Sequence, residues 1–337
     1  MDTQVYSARL GRISPAQFQA ALDRFGLGTF VRAAPIPLGN FGQNVFVTAT
    51  SGEYVLRGAP HYAWQFPKER LIAHLLHERT GAPVPWPYLL DSSDDIFGWS
   101  YALMPRLPGL QLGDPAVYAA LGAADRRRIA GALGTMLARL HRLTWPHAGD
   151  YDLDADTIVP FASDYRDRVV ARIRHNLAVA REHGAQTTAS DASWVETVLA
   201  AGYDMLGVPS EPCIVMEDYT TRNVVVERAG RGWRVSGVFD LMTPYFGDGE
   251  ADLSRQVAMY WDDEPACARA FLRAYLGRRP PRQGFGTRFP IYMLDDRLII
   301  WTWAHRHGVV WWDPSWTLRT WAERYMAAGA TLVPAAP

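Results

Sequence analysis

Residues 213–227, CIVMEDYTTRNVVVE, and residues 233–242, WRVSGVFDLM, decide how this chain is read. Each contains a β-branched or apolar run, Val224–Val226 in the first and Val235–Phe239 in the second, and such runs predict short strands. Ala229-Gly230 lies between them and supplies a turn. The ends of the two stretches are polar. Asp218 precedes Asn223 with four residues between them, and Asp240 follows the second strand, 22 residues beyond Asp218. That separation leaves room for a hairpin of Val224–Glu227 against Trp233–Phe239. Such a hairpin brings Asp218, Asn223 and Asp240 to one end. Asn223 and Asp240 then offer an amide oxygen and a carboxylate, hard donors suited to Mg²⁺. Asp218 is left to orient a hydroxyl and accept its proton.

This division of labour is that of phosphoryl transfer in kinases, where D-x-x-x-x-N forms a catalytic loop and a second Asp holds metal. Triphosphate carries concentrated negative charge, so a cation must bridge it before an alcohol oxygen approaches in line. A lone D-x-x-x-x-N has little specificity, because both residues are common in caps and turns. Its weight comes from what surrounds it.

Upstream, Val45 and Val47 alternate with Phe46 and Thr48, and Tyr54-Val55-Leu56 follows a Ser51-Gly52 turn. This predicts a second hairpin. The loop before it, Gly39-Asn40-Phe41-Gly42-Gln43-Asn44, is not a Walker A sequence. Residues 14–26 predict a helix with Ser14 as N-cap and Pro15 in its first turn, and residues 67–80 predict another, closed by Gly81. Residues 101–109 read as a strand stopping at Pro105, and the Pro108-Gly109 turn marks a lobe boundary. Beyond it, residues 124–143, 161–182 and 191–206 have helical spacing, and residues 251–330 read as helices rich in Trp and Tyr.

Composition narrows the function classes. The chain has 337 residues, 48% hydrophobic and 20% charged, which is globular and large enough for two lobes. Lys plus Arg total 34 against 35 for Asp plus Glu, a balance that argues against a general nucleic-acid binder. Two cysteines cannot build a disulfide framework or a four-Cys zinc site. The first fifteen residues lack an apolar signal region, and no apolar run reaches membrane-spanning length. The expectation is a cytoplasmic protein without membrane or nucleic-acid partners, as monomer or homodimer. Asp150, Asp152, Asp154 and Asp156 imitate the start of an EF-hand, but Ala155 and Phe161 stand where it needs Gly and Glu.

Taken in this order, the residues resemble the aminoglycoside phosphotransferase / choline kinase family of small-molecule kinases, over about Pro37 to Trp321. The family's H-G-D-x-x-x-x-N is similar to Met216-Glu217-Asp218-Tyr219-Thr220-Thr221-Arg222-Asn223. Its I-D-[FW]-[ED] motif, with G-D and a further Asp, resembles Val238-Phe239-Asp240-Leu241, then Gly247-Asp248 and Asp252. Tyr54-Val55-Leu56-Arg57 resembles its phosphate-contacting strand, Glu69 its helix glutamate and Leu140-His141 its LH motif. The order of pieces looks most like the hygromycin B phosphotransferase branch.

The resemblance implies an α+β, bilobal protein-kinase-like fold. A β-rich lobe of residues 1–105, with a small antiparallel sheet and a helix, would clamp ATP. A larger, mainly helical lobe of residues 106–337 would carry catalysis and acceptor binding. It implies Asp218 as catalytic carboxylate, Asn223 and Asp240 on Mg²⁺, and Arg57 with its partner Glu69 on the α/β-phosphates. Asn40, Gly42 and Gln43 would cover the phosphates, and the backbone around Met104–Arg106 would bind adenine. Asp252 would buttress the catalytic loop, with His141 in support. The implied cofactors are Mg²⁺ and ATP, with GTP also open. The acceptor is a hydroxyl of a small molecule. An aminoglycoside-type antibiotic fits an acidic, aromatic region of Tyr260, Trp261, Asp262, Asp263 and Glu264, then Asp295 and Asp296, with Glu217 beside Asp218, which would make the chain an antibiotic-resistance enzyme. A metabolic kinase for an amino alcohol, sugar or macrolide is the alternative, as is a nucleotide-binding pseudokinase. Three departures stand out: Arg57 where many members have Lys, Met216-Glu217 in place of His-Gly, and Leu241 without an extra carboxylate.

Overall fold

The computed structural model describes residues 4–36, 42–184 and 186–332. The chain packs as two compact units, one of Met1–Gly122, Tyr151–Val159 and Thr221–Pro244, the other of Ala123–Asp150, Pro160–Thr220 and Tyr245–Pro337. The first unit therefore reaches past residue 105 and takes in two later segments.

The first unit is built on a five-stranded antiparallel sheet, with strands in the order Phe30–Pro35, Asn44–Ala49, Gly52–Gly58, Tyr101–Pro105, Leu89–Asp91. Alternation sets its faces. Val45, Val47 and Ala49 turn inward, and Leu56 and Leu103 join them over Ile13, Phe18 and Leu22. The hairpin register places Asn44 opposite Arg57 and Val45 opposite Leu56. The helix Pro15–Arg24 starts at Ser14, the expected N-cap, and Gln17 closes a capping box there. The helix Gln65–Thr80 ends at Gly81 in a left-handed turn and buries Phe66, Glu69, Ile72 and Leu76. A second sheet joins Val224–Ala229 to Gly232–Val238 as the expected hairpin, with Leu110–Gln111 on its other edge. Strands at Gln4–Ser7, Gly11–Ile13 and Phe30–Pro35 are additions that the sequence pattern did not predict.

The second unit is mainly helical. Ala123–Leu140 lies against Pro265–Leu276 so closely that a Cβ on Gly134 would fall 2.2 Å from the Phe271 carbonyl oxygen. Tyr165–His183 and Ala189–Leu206 pack on the long helix Phe285–His307. The β-like stretch 213–227 divides: Cys213–Val215 pairs with Tyr245–Gly247 in this unit, while Val224–Ala229 belongs to the other. Of the C-terminal tryptophans, Trp301 and Trp321 are core, whereas Trp311 is exposed. No helix among the described residues is long and apolar enough to cross a membrane.

Candidate active site

In the first unit the site is organised around one guanidinium. Arg57, on the inner strand Gly52–Gly58, donates from Nη2 to Glu69 Oε1 at 2.9 Å and to Asp240 Oδ1 at 3.3 Å, and from Nη1 to Asn44 Oδ1 at 3.2 Å. Burial works against its charge, but the carboxylates of Glu69 and Asp240 outweigh it and raise its pKa. Glu69 is held in turn by the Tyr88 hydroxyl at 2.8 Å and the Gln65 amide at 3.2 Å. Burial, followed by the charge on Glu69, pushes the Tyr88 hydroxyl well above its ordinary value, so it stays a donor.

Gln43 is buried against this cluster, receiving a hydrogen bond from Gln65 at 3.1 Å and donating to the Ala59 carbonyl at 2.9 Å. Gly42 has φ of 61°, and a Cβ there would lie 3.1 Å from Ser7 Cβ, so the position calls for glycine twice over. Asn40 lies outside the described residues.

Asn223 and Asp240 sit at one end of the Val224–Ala229/Gly232–Val238 hairpin, where the Phe239 amide donates to the Asn223 carbonyl at 3.1 Å. Asp240 has φ of 62°, uncommon for a residue with a side chain, and is about one-third exposed. An amide oxygen and a carboxylate at one hairpin end are a donor pair that fits Mg²⁺. Met104 is buried opposite Val55. The Arg106 amide donates to the Glu53 carbonyl at 3.0 Å, and its guanidinium lies 4.0 Å from the Phe46 ring centroid.

In the second unit the centre is Asp252. Its carboxylate accepts the Met216 amide at 2.6 Å and the Glu217 amide at 2.7 Å, and meets His141 Nε2 at 3.0 Å. His141 Nδ1 pairs with the Tyr275 hydroxyl at 2.9 Å, and His141, Tyr275, Asp252 and Met216 are all buried. The loop turns tightly there: the Asp218 amide donates to the Met216 carbonyl at 2.7 Å, and Glu217 has φ of 63°. Glu217 therefore holds the left-handed conformation at the position where the family motif has glycine, a backbone cost of about 1–2 kcal/mol.

Side chains of this loop are gripped by two arginines. Arg172 Nη1 donates to Glu217 Oε1 at 2.6 Å and its Nε to Asp295 Oδ1 at 3.2 Å. Arg255 Nη1 donates to Asp218 Oδ1 at 3.1 Å and its Nε to Asp296 Oδ1. Burial raises Glu217 and Asp295, with Arg172 opposing, whereas Arg255 and Arg297 overcome burial and lower Asp296.

The fold agrees with the comparisons. A family model described as "Phosphotransferase enzyme family" matches residues 32–285. The chain belongs to that family. This phosphotransferase is similar to a thermostable mutant of the aminoglycoside phosphotransferase APH(4)-Ia, solved in ternary complex with ADP and hygromycin B, with 17% identity over 94% of this chain and 98% of that one and a TM-score of 0.66. A protein from Thermobifida fusca assigned as a fructosamine-3-kinase has 20% identity over 93% and 98% of the two chains and a TM-score of 0.61. The GDP complex of aminoglycoside 2'-phosphotransferase-IIIa has 14% identity over 95% and 99%, with a TM-score of 0.60. No curated protein matches the chain. The family makes it a small-molecule phosphotransferase acting on hydroxyl groups.

Other expected site residues are placed differently. Tyr260 is buried, and Asp262 is taken by Arg324 at 3.0 Å and the Tyr325 hydroxyl at 2.8 Å. Asp263, next to it, is exposed. Sequence reasoning missed Arg172, Arg255 and Tyr88. Arg255 had a signal, since it stands three residues after Asp252, the spacing that puts two side chains on one helical face.

Proposed function

We propose that the chain is an ATP-dependent O-phosphotransferase that moves the γ-phosphoryl group to a hydroxyl of a small molecule. Asp218 orients that hydroxyl and accepts its proton late, because a loose transition state needs little help from a base. Arg57, braced by Glu69, contacts the α/β-phosphates, with Gly42 and Gln43 covering the phosphates and Met104–Arg106 beside the adenine. Asn223 and Asp240 hold Mg²⁺, which when bound neutralises phosphate charge. His141 and Asp252 keep the catalytic loop in shape. The observation that carries this reading is the grip of Asp252 on the amides of Met216 and Glu217, which presents the Asp218 carboxylate about two-fifths exposed. Residues 1–105 are taken as the nucleotide-clamping lobe, and the protein as a cytoplasmic monomer or homodimer. Relatives bound to ADP and GDP support nucleotide binding and keep GTP open as a donor.

The acceptor is read as an aminoglycoside-type antibiotic, in keeping with the hygromycin B complex of the similar APH(4)-Ia and with the carboxylates at and behind Glu217. A second reading, a metabolic kinase for a sugar or amino alcohol, is favoured by Arg172 and Arg255, which neutralise those carboxylates internally. An acceptor screen with ATP and Mg²⁺ separates them. Turnover of aminoglycosides, abolished in D218A with nucleotide binding retained, supports the first. Turnover of sugars or amino alcohols alone supports the second, and nucleotide binding with no turnover on the whole panel refutes both.

A further inference from the structure

Arg255 touches the Asp218 carboxylate directly. It enters from the helix Leu253–Trp261, one turn beyond Asp252. Its side chain is 14% exposed, against 41% for Asp218. The far edge of its guanidinium is fixed by Asp296, and Asp296 is fixed by Arg297, whose Nε donates at 3.0 Å. A guanidinium is a rigid planar fork, so holding one edge sets the direction of the other. The same device repeats one residue earlier in the loop, where Arg172 bridges Glu217 and Asp295. Consecutive loop carboxylates are thus tied, each through one arginine, to consecutive carboxylates of the helix Phe285–His307.

We propose that Arg255 is a positioning residue for Asp218, holding its carboxylate in one orientation and in its charged form for the acceptor hydroxyl. This rests on Asp218 being the proton acceptor. Arg172 orients Glu217 through the same geometry. Charged groups around Asp218 in its unit include Arg255 and, behind it, Asp296, together with the neighbouring Glu217 and its partners Arg172 and Asp252. Arg255 stabilises the Asp218 anion by direct hydrogen bonding.

The test reads the carboxylate itself. Protein labelled with ¹³C at aspartate is titrated by NMR, and the Asp218 resonance is identified by its loss in D218N. In R255M the Asp218 midpoint rises by about one pH unit, the low end of what an adjacent cation contributes. R255K keeps the charge but not the fork, so its midpoint moves less while kcat still falls about tenfold or more, with KM for ATP nearly unchanged. D296N leaves Arg255 in place but frees its far edge, and lowers kcat in the same way. Free guanidinium partly restores R255M towards wild type. An unchanged Asp218 midpoint in folded R255M overturns the proposal, and so does a rise in kcat, which would mean that Arg255 blocks Asp218. If the wild type turns over no acceptor, the functional reading fails, while the midpoint still decides whether Arg255 sets the state of Asp218.

Discussion

Replacing Asp252 by alanine removes one carboxylate from three partners: the amides of Met216 and Glu217, at 2.6 and 2.7 Å, and the His141 ring nitrogen at 3.0 Å. Hydrogen bonds to a charged group contribute about 1.5–3 kcal/mol each, but these share one acceptor and do not add. Leaving buried polar groups unsatisfied costs about 1–3 kcal/mol apiece, and a total of about 3–5 kcal/mol is expected for D252A. The loop has a reason to move once released, because Glu217 is held at φ of 63° and relaxing it recovers about 1–2 kcal/mol. A displacement of Asp218 by about 1 Å is enough to lower turnover about a hundredfold. Denaturant unfolding measures the first effect, and amide hydrogen exchange at Met216 and Glu217 measures the second. D252N, which keeps one carbonyl oxygen, is expected to fall between D252A and wild type in both. Stability within about 1 kcal/mol of wild type, with both amides still protected, would refute the reasoning.

R57M leaves Glu69 buried without its cation and costs about 3–5 kcal/mol in denaturant unfolding, together with most nucleotide affinity by calorimetry; R57K is expected to recover much of the stability. The pH dependence has a defined sign. Burial raises Glu217 above its ordinary 4.5, so the folded chain holds a proton there that the unfolded chain has released, and stability declines as pH rises from 4.5 through the folded value. E217Q removes that part of the decline, which shows as a flatter stability-versus-pH curve on the acid side of neutrality.

Where local pattern and tertiary demand coincide, the sequence was informative. The Ser14 cap, the alternation of Val45 and Val47 and the Ala229-Gly230 turn are short-range signals, and each appears in the structure where the residues place it. The strand Phe30–Pro35 gave no such signal, because its residues are mostly exposed and it is defined by pairing with Asn44–Ala49. In the site, the partnership of Arg57 with Glu69 was legible because both lie in recognisable motifs. Arg172 was not, and Arg255 only through its spacing from Asp252, because an arginine on a helix face looks like any solvated cation until the fold pairs it with Asp295 or Asp296. Asp262 failed in the opposite direction: an acidic cluster suggested a cationic ligand, and the fold supplied Arg324 and Tyr325.

The pairing of Asp295 and Asp296 with two different arginines makes the helix Phe285–His307 intolerant of insertion. Neighbouring residues on an α-helix diverge by about 100°, so one extra residue upstream would rotate both carboxylates away from their targets together. Homologues that lengthen or shorten the segment before Asp295 should therefore do so in the connection around Arg278–Gln283 and leave the helix itself at constant phase. Divergent members of this lineage ought to change the two arginines and the two aspartates as a linked set of four.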